Sequence, residues 1–355
     1  MSEAPAPLRI PAEDWATTPD SLCCIACGAV TSAEWPAEMP SGSFGPRAQT
    51  VVGYLTGRMG LSQRDVVEGM EALYHVEMAL GSVSTLQTAV SQALAKPVEE
   101  AQAYIQQQPT VNVDETGWRE ENKRAWLWVG ATPLVAIFII LKTRGAQGVR
   151  SLLGDPFGGI VGSDCWSAYN WPDPQRRQLC WAHLIRDLQK LVDRGGKSAL
   201  IGQALLAQTK ELFHFWQRVR DGTLVRTDFA VEAFRIRPKI HQVLLEGAEL
   251  GHAQTRRTCR NLLKVEDALW TFVAVDGIEP TNNLAERCLR RAVLWRRRSF
   301  GTQSNDGSLF VARILSTVTT WRLQERDVLD FLTDACTKAN LQQKHPSLLP
   351  VLPPT

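Results

Sequence analysis

The sequence predicts an α/β fold in which a mixed sheet is interrupted by an all-helical insertion and preceded by a helical N-terminal domain. Three observations predict it. Apolar residues recur at helical spacing over residues 46–108 and again over residues 193–276, whereas short apolar strands alternate with helices over residues 109–192. With 355 residues, the chain is long enough for each of these parts to bury a core.

Residues 1–45 are rich in Pro, Ala, Ser and Gly and are expected to form an irregular segment. The chain starts with Met-Ser-Glu-Ala-Pro-Ala-Pro, which has neither the basic nor the apolar region of a signal peptide. Eight cysteines in a chain of this length, without secretory features, indicate reduced thiols rather than a disulfide framework. We therefore expect a cytoplasmic protein.

The helical domain, residues 46–108, is predicted to contain three helices, over 47–58, 62–74 and 82–107. Ser62 and Ser82 are the expected N-caps of the second and third helices. Three short helices with tight turns fit a helix-turn-helix domain, and they also fit a plain helical bundle. The net charge of −7 over residues 1–110 slightly favours the bundle for this region.

The α/β region, residues 109–192, is predicted to hold five strands. The predicted elements are strands over 110–114, 125–132 and 134–142, a helix over 146–153, strands over 159–164 and 177–181, and a helix from 182 to 192. The uncharged stretch from 125 to 141 is broken by Thr132-Pro133, which indicates a hairpin rather than a membrane helix. Three antiparallel strands followed by parallel additions make a mixed sheet.

The rest of the chain returns to helix after a break at Gly277-Ile-Glu-Pro280. Residues 277–340 are expected to supply the C-terminal helices of the core, the first of them starting near Asn282. Residues 341–355, rich in Pro and Leu, are expected to form a tail.

Two aspartates follow apolar strands directly, Asp114 in Val-Asn-Val-Asp and Asp164 in Val-Gly-Ser-Asp. Ligand sites gather at such strand ends, and two close carboxylates repel each other unless a divalent cation lies between them. Taken singly, each aspartate is more often simply a strand end that caps a turn. The pair therefore suggests a metal site without establishing one.

A third acid, Glu286, lies at the start of a basic helix. Because Asn283 precedes it by three residues, the local pattern favours a capping box over a metal ligand. The following residues weaken that interpretation, since six arginines and no acid occur in the next twelve positions. They are Arg287, Arg290, Arg291, Arg296, Arg297 and Arg298. A charge run is usually a solvated face, but six like charges repel one another without an anionic partner.

The sequence resembles the insertion-sequence-66 family of bacterial DDE transposases over residues 44–340. The resemblance rests on the strings VNVDETGW, SDCWSAYN, QLCWAHLIRDLQKL and PTNNLAERCLRRAVLWRRRSFGTQS, which are in order and correctly spaced. It implies an RNase H-like catalytic fold in which Asp114, Asp164 and Glu286 hold two Mg²⁺ ions, with Mn²⁺ as a substitute. It further implies that water frees a 3′-OH at each element end and that this 3′-OH attacks target DNA.

The resemblance also assigns expected partners. These are the terminal repeats of the element and target DNA, a homodimer or larger assembly on the DNA, and accessory transposition proteins; no membrane is expected. The six arginines would contact phosphates, and the helix around residues 82–95 would read the terminal repeats. The net charge of +2 first argues against a nucleic-acid partner, but it is the sum of −7 over residues 1–110 and +9 over the rest.

Cys180 and His183 resemble a Cys-x-x-His motif of insertion-bearing transposases, which would order the site or contact the DNA end. Zinc at this motif is not expected, because two further ligands are missing nearby. His183 and Asp187, one turn apart, are a candidate structural pair.

The N-terminus departs from the family, whose members carry two Cys-x-x-Cys pairs. Only Cys24 and Cys27 resemble one of them, so bound zinc is doubtful unless Cys23 and a partner chain complete the site. The segment looks like half of a zinc module.

Tryptophans near the acids, Trp118, Trp126, Trp128 and Trp166, are expected to be mostly core residues. Trp216 and Trp270 in the insertion are the better candidates for a platform on which an unpaired base stacks.

The sequence thus predicts a DNA transposase. Two alternatives stay open: an RNase H-like structure-specific nuclease, against which the insertion and the family strings count, and a truncated, inactive remnant that still binds DNA. The missing cysteine pair supports the remnant, and the intact acid triad opposes it.

Overall fold

The computed structural model describes residues 21–32 and 44–351 of the chain. Much of the predicted irregular segment (1–20 and 33–43) and the end of the predicted tail (352–355) lie outside these described residues. The predicted division of the chain into domains stays a prediction, and the elements are described here as they stand.

A short hairpin and four helices precede the sheet. They are β1 (Ser21–Cys23), β2 (Val30–Ser32), α1 (Pro46–Tyr54), α2 (Gln63–Tyr74), α3 (Leu80–Ala93) and α4 (Ala95–Gln106). A π-helical turn, Leu55–Met59, extends α1. Ser62 caps α2 as predicted, in a reciprocal capping box with Asp65. Ser82 is not a cap, because α3 begins two residues earlier and the amide of Ser82 already donates to the carbonyl of Ala79.

The sheet and its first helices occupy the middle of the chain. They are β3 (Thr110–Glu120), β4 (Lys123–Ala131), β5 (Ala136–Leu141), α5 (Ala146–Leu153), β6 (Ile160–Ser163), β7 (Arg177–Leu179) and α6 (Trp181–Asp193). The strand order is β5-β4-β3-β6-β7, with the first three strands antiparallel and the last two added in parallel. The predicted mixed sheet is confirmed.

Helices make up the rest of the described chain. They are α7 (Gly196–Arg220), α8 (Arg226–Ala248), α9 (Ala253–Leu263), α10 (Thr271–Ala274), α11 (Asn283–Ser299), α12 (Asn305–Leu323) and α13 (Val328–Asn340). No helix among the described residues combines the length and the apolar character that crossing a bilayer requires. The stretch 125–141 instead forms β4 and β5, joined by a turn in which the amide of Thr132 donates to the carbonyl of Val135.

One strand is longer than predicted, and this moves Asp114 from a strand end to the middle of β3. The strand continues to Glu120 because Glu121 and Asn122 form a two-residue hairpin turn, both with left-handed φ. Asp114 nevertheless lies at an edge of the parallel part, since the pairing of β3 with β6 stops at Asn112.

The buried residues form three clusters. One joins the sheet to α5, α11, α12 and α13; one lies within the N-terminal helices; and one joins α6 to α7–α10. Trp216 and Trp270 belong to the last cluster, with only 7% and 5% of their surfaces exposed. The prediction that they form a base-stacking platform is therefore wrong: Trp216 packs on Phe229 and Phe272, and Trp270 on Trp181.

Candidate active site

Four carboxylates line one open cavity of about 820 Å³, which we call the acid cavity: those of the three acids that the sequence singled out, and that of Glu115. Asp114 comes from β3, Asp164 follows β6 directly, and Glu286 lies in the first turn of α11. The structure therefore brings together all three acids that the sequence singled out, although 122 positions separate the last two.

Asp114 is the carboxylate with the most perturbed electrostatics. Burial raises its pKa from the usual 3.8 to about 7, and the charges of Glu115, Asp164 and Glu286 add to the rise. A hydrogen bond from the amide of Glu115 to Asp114 Oδ1, at 2.8 Å, acts in the opposite direction. No cationic side chain among the described residues forms an ion pair with Asp114.

Asp164 is held by its own loop and by a buried arginine. Its Oδ1 accepts a hydrogen bond from the amide of Trp166 at 2.8 Å, as in an Asx turn. Arg177, only 1% exposed, donates to the backbone carbonyl of Asp164 at 2.6 Å and to Ser163 Oγ at 3.1 Å. These hydrogen bonds hold the end of β6 in place, and the Asp164 carboxylate faces the acid cavity.

Glu286 does not act as a helix cap. The N-cap of α11 is Asn282, and no side chain caps it. Glu286 Oε1 lies instead 3.2 Å from His183 Nδ1 and 3.5 Å from Arg186 Nη2. The capping-box alternative is therefore wrong, because the side chain turns towards α6.

His183 does not pair with Asp187, which was the structural pair expected from their spacing. Asp187 binds Lys190 at 2.8 Å. His183 Nδ1 is buried and lies near Glu286 without the alignment of a good hydrogen bond.

Cys180 and His183 belong to one group with Glu286. Among the residues that the structure describes, these are the three potential metal ligands whose donor atoms all lie within 4.8 Å of one another. Burial raises the pKa of the Cys180 thiol, and its sulfur accepts a hydrogen bond from the backbone amide of Asn282 at 3.2 Å. The sequence pattern could not supply this third ligand, because Glu286 arrives from a distant helix.

Asn282 joins three distant segments around the site. It is 1% exposed, and its Nδ2 donates to the carbonyl of Val113 on β3 at 2.9 Å, while its amide donates to Cys180. The start of α11 is thereby fixed against the first strand of the site and against the start of α6.

The six arginines of α11 point in three directions. Arg287, Arg290 and Arg297 line the acid cavity. Arg296 donates to Thr116 Oγ1 and to the carbonyl of Gly117, and so holds α11 on β3. Arg291 donates to the backbone carbonyl of Arg58, and Arg298 donates to that of Met59, both in the π-helical turn. None of the six forms an ion pair with a carboxylate of the described chain.

The sequence did not single out a second set of residues beside the acids, which we call the Glu115 cluster: Glu115, Arg144 and Tyr169. Only 2% of the Glu115 side chain is exposed, and its carboxylate binds Arg144 Nε at 2.9 Å and the hydroxyl of Tyr169. Arg144 also stacks over Trp166 at 4.1 Å. The available signal in the sequence was a second acid directly after Asp114.

The N-terminal cysteines lie in the β1–β2 hairpin. Hydrogen bonds from the Cys27 side chain, and then from the Cys27 and Ala26 amides, lower the pKa of Cys24. No third metal-ligating side chain joins Cys24 and Cys27 among the described residues.

Comparisons with known proteins bear on the chain as a whole. The chain is 27% identical over 244 residues to uncharacterized protein y4qI of Sinorhizobium fredii, a match that covers 61% of this chain and 44% of that protein. Uncharacterized protein y4hP of the same organism is 27% identical over 241 residues, which cover 59% of this chain and 43% of that protein. The chain thus spans less than half the length of these relatives.

A model of the transposase IS66 family matches residues 63–309, which include all three acids, the Cys180–His183 pair and the arginines of α11. The matched residues make up more than half of the chain. On this ground, and in agreement with the motif resemblance, the chain belongs to the transposase IS66 family.

Proposed function

We propose that this chain is a DNA transposase that cleaves the 3′ ends of its element and joins them to target DNA. The observation that carries the proposal is the acid cavity, in which Asp114, Asp164 and Glu286 converge beside arginines that lack carboxylate partners. Carboxylates at the end of a parallel strand pair and positive charges on one adjoining helix suit the handling of a phosphodiester.

The residues of the cavity fit divalent cations. Asp114 is buried beside two further acids, and its raised pKa means that its negative charge lacks compensation from the protein. Oxygen ligands of this kind suit Mg²⁺, and also Mn²⁺. When bound by Asp114, Asp164 and Glu286, two such ions would supply Lewis-acid activation of the attacking oxygen and stabilisation of the leaving 3′ oxygen.

The chain's own side chains would do the rest of the work. Arg287, Arg290 and Arg297 would bind the phosphates on either side of the scissile bond. His183 and Arg186 would orient the Glu286 carboxylate from α6. In this scheme the Cys180–His183 motif orders the site, and the whole assembly has the RNase H-like arrangement that the motifs suggest.

The N-terminal helices would read the terminal repeats in a helix-turn-helix manner. In support, α3 exposes the small polar side chains Ser84, Thr85 and Thr88, which can hydrogen-bond to base edges. The Gln63 amide on α2 donates to Ser84 Oγ at 2.9 Å and so couples the two helices. Because two ends must be joined, we propose a dimer or larger assembly on DNA, with accessory proteins of the element as further partners.

A strand-transfer assay tests the proposal. The substrate is DNA that carries the terminal repeats of the element that encodes this chain, supplied with Mg²⁺ and target plasmid. We expect the wild type to nick and join these ends and Asp164→Ala to do neither. Asp193→Asn is the matched control, because Asp193 is an exposed carboxylate on α6 whose one side-chain partner among the described residues is Gln189.

Each alternative has its own outcome. Cleavage without joining would favour the structure-specific nuclease. Binding without cleavage by the wild type would favour the inactive remnant. Full activity of Asp164→Ala would show that the acids are wrongly assigned.

A further inference from the structure

Three arginines from distant parts of the chain lie near one another where the π-helical turn approaches α11 and α12. They are Arg58 in the π-helical turn, Arg291 on α11 and Arg322 near the end of α12, and we call them the arginine cluster. Arg291 Nη1 donates to the backbone carbonyl of Arg58 at 2.9 Å, so the side chain of one member is bound to the backbone of another.

The cluster lacks an internal counter-charge. None of its members forms an ion pair with a carboxylate in the described part of the chain. Glu325 and Asp327 border Arg322, but neither is paired with it. Burial, followed by the charges of Arg291 and Arg322, lowers the pKa of Arg58, and burial followed by Arg322 lowers that of Arg291.

A second, independent observation concerns hydrogen bonding. The Nε of Arg58 is buried, and no hydrogen-bond partner for it occurs among the residues that the structure describes. Buried polar atoms are usually satisfied, so an unpaired guanidinium N–H beside two more guanidinium groups indicates a missing acceptor with negative charge.

The backbone around Arg58 is held firmly. Gly57 presses against Ile314 of α12 so closely that a Cβ at this position would overlap the isoleucine side chain. The hydroxyl of Thr56 donates to the carbonyl of Val52 at 2.9 Å and accepts a hydrogen bond from Gln87 Nε2 at 3.1 Å. The turn thus presents Arg58 to the other two arginines from a fixed position, as a preorganised site would.

We propose that Arg58, Arg291 and Arg322 form a binding site for a backbone phosphate of DNA, outside the acid cavity. This inference rests on the proposed function for the identity of the ligand. The site adds Arg58 and Arg322 to the DNA-contacting residues. It also extends the proposed DNA contact from α11 to the π-helical turn that follows α1.

The test measures binding of a mixed-sequence linear duplex at several salt concentrations, with catalysis prevented by omission of divalent metal. The variants are Arg322→Gln and Arg58→Gln, and the control is Arg257→Gln, since Arg257 is exposed and unpaired on α9. Loss of one phosphate contact should reduce the slope of log Kobs against log salt by about 0.9. We expect this reduction for both variants and none for the control.

Thermal unfolding of the protein without DNA gives a second readout, in which the expected change is a gain in stability rather than a loss of binding. Because Arg322 repels its neighbours, Arg322→Gln should raise the melting temperature of the free protein while it weakens DNA binding. A fall in the melting temperature of Arg322→Gln would mean that this residue has a stabilising partner within the protein, and would overturn the proposal. This variant also keeps the test valid if Arg58→Gln folds poorly.

The outcomes separate this inference from the proposed function. If the wild type binds DNA and the slopes of both variants equal that of the control, the arginine cluster is not a phosphate site, whatever the strand-transfer assay shows. If the slopes fall as expected but no joining occurs, the phosphate site stands and the transposase activity does not. A wild type that fails to bind DNA overturns both.

Discussion

Asp114 and Glu115 are neighbours on β3, but the surroundings of their carboxylates differ in the hydrogen-bond and ion-pair partners that they supply. Glu115 has an arginine and a tyrosine hydroxyl as partners. Asp114 receives one backbone amide and otherwise faces two more acids. A fold that only needed stability would satisfy both in the same manner. The Glu115 carboxylate is thus satisfied within the protein, and the contrast supports the proposal that the acid cavity binds a cation.

The largest expected effect comes from Asp114→Asn. If Asp114 holds a catalytic cation, its neutralisation should remove several kcal/mol of transition-state stabilisation and slow cleavage of the 3′ ends by about a thousandfold. Single-turnover cleavage of terminal-repeat DNA measures this, with Asp193→Asn as the control. Cleavage within tenfold of the wild type would remove Asp114 from the catalytic set.

The next effect concerns pH and the metal-free protein. The folded-state pKa of Asp114 is raised to about 7, so the unfolded chain binds fewer protons than the folded one between about pH 4 and pH 7. The stability that depends on this group is therefore complete at low pH and is lost as the pH rises through about 7. At 1.36 kcal/mol per pKa unit, the loss amounts to about 4 kcal/mol.

Urea unfolding in a chelating buffer, at a series of pH values, measures this dependence. Asp114→Asn should lack it, because the amide does not titrate. Parallel curves for the wild type and the variant would contradict the assignment.

A somewhat smaller effect is expected for Glu115→Ala. Removal of this carboxylate leaves the buried Tyr169 hydroxyl without its acceptor and Arg144 without its anion, so the free energy of unfolding should fall by about 3 kcal/mol. Glu99→Ala is the control, since Glu99 forms an exposed ion pair with Lys96 on α4. If Glu115→Ala lost no more stability than the control, the partners of Glu115 would not stabilise the fold, and the contrast with Asp114 would fail.

The smallest effect is expected for Tyr169→Phe, which keeps the ring and its edge contact with Trp128. Only the hydrogen bond to Glu115 is lost, so the free energy of unfolding should fall by about 1 kcal/mol. Burial, followed by the charge of Glu115, raises the pKa of Tyr169 well above its usual value, so the hydroxyl stays protonated and donates. A double-mutant cycle with Glu115→Gln should show that the two substitutions are not additive.

The sequence was informative where local chemistry decides the structure. The alternation of strands and helices over 110–192, the hairpin at Thr132 and the Ser62 cap follow from local patterns, and the structure confirms them. Ser82 is not a cap because α3 begins at Leu80, so the Ser82 amide already lies within the first helical turn and donates to Ala79. Asp114 was placed at a strand end because the hairpin turn at Glu121 and Asn122 lacks glycine.

The parts that could not be predicted all depend on contacts between distant residues. Glu286 carries a capping pattern, and only the approach of α6 shows that its side chain serves another purpose. Arg58 is unremarkable in sequence, and its role is visible only once α11 and α12 lie beside it. Trp216 and Trp270 looked available for stacking because periodicity does not reveal which helices cover them.

Because Asn282 lies late in the chain, the site can assemble only after most of the chain has been synthesised. The ribosome completes the sheet strands and all of α6–α10 before Asn282 emerges, and only then can β3, Cys180 and α11 be joined. At about 5–20 residues per second, the stretch from Asp164 to Glu286 takes on the order of ten seconds to translate. During that time the nascent chain holds two of its three acids and none of the arginines of α11. A copy of the gene with a stop codon before residue 282 would encode a protein unable to assemble the acid cavity.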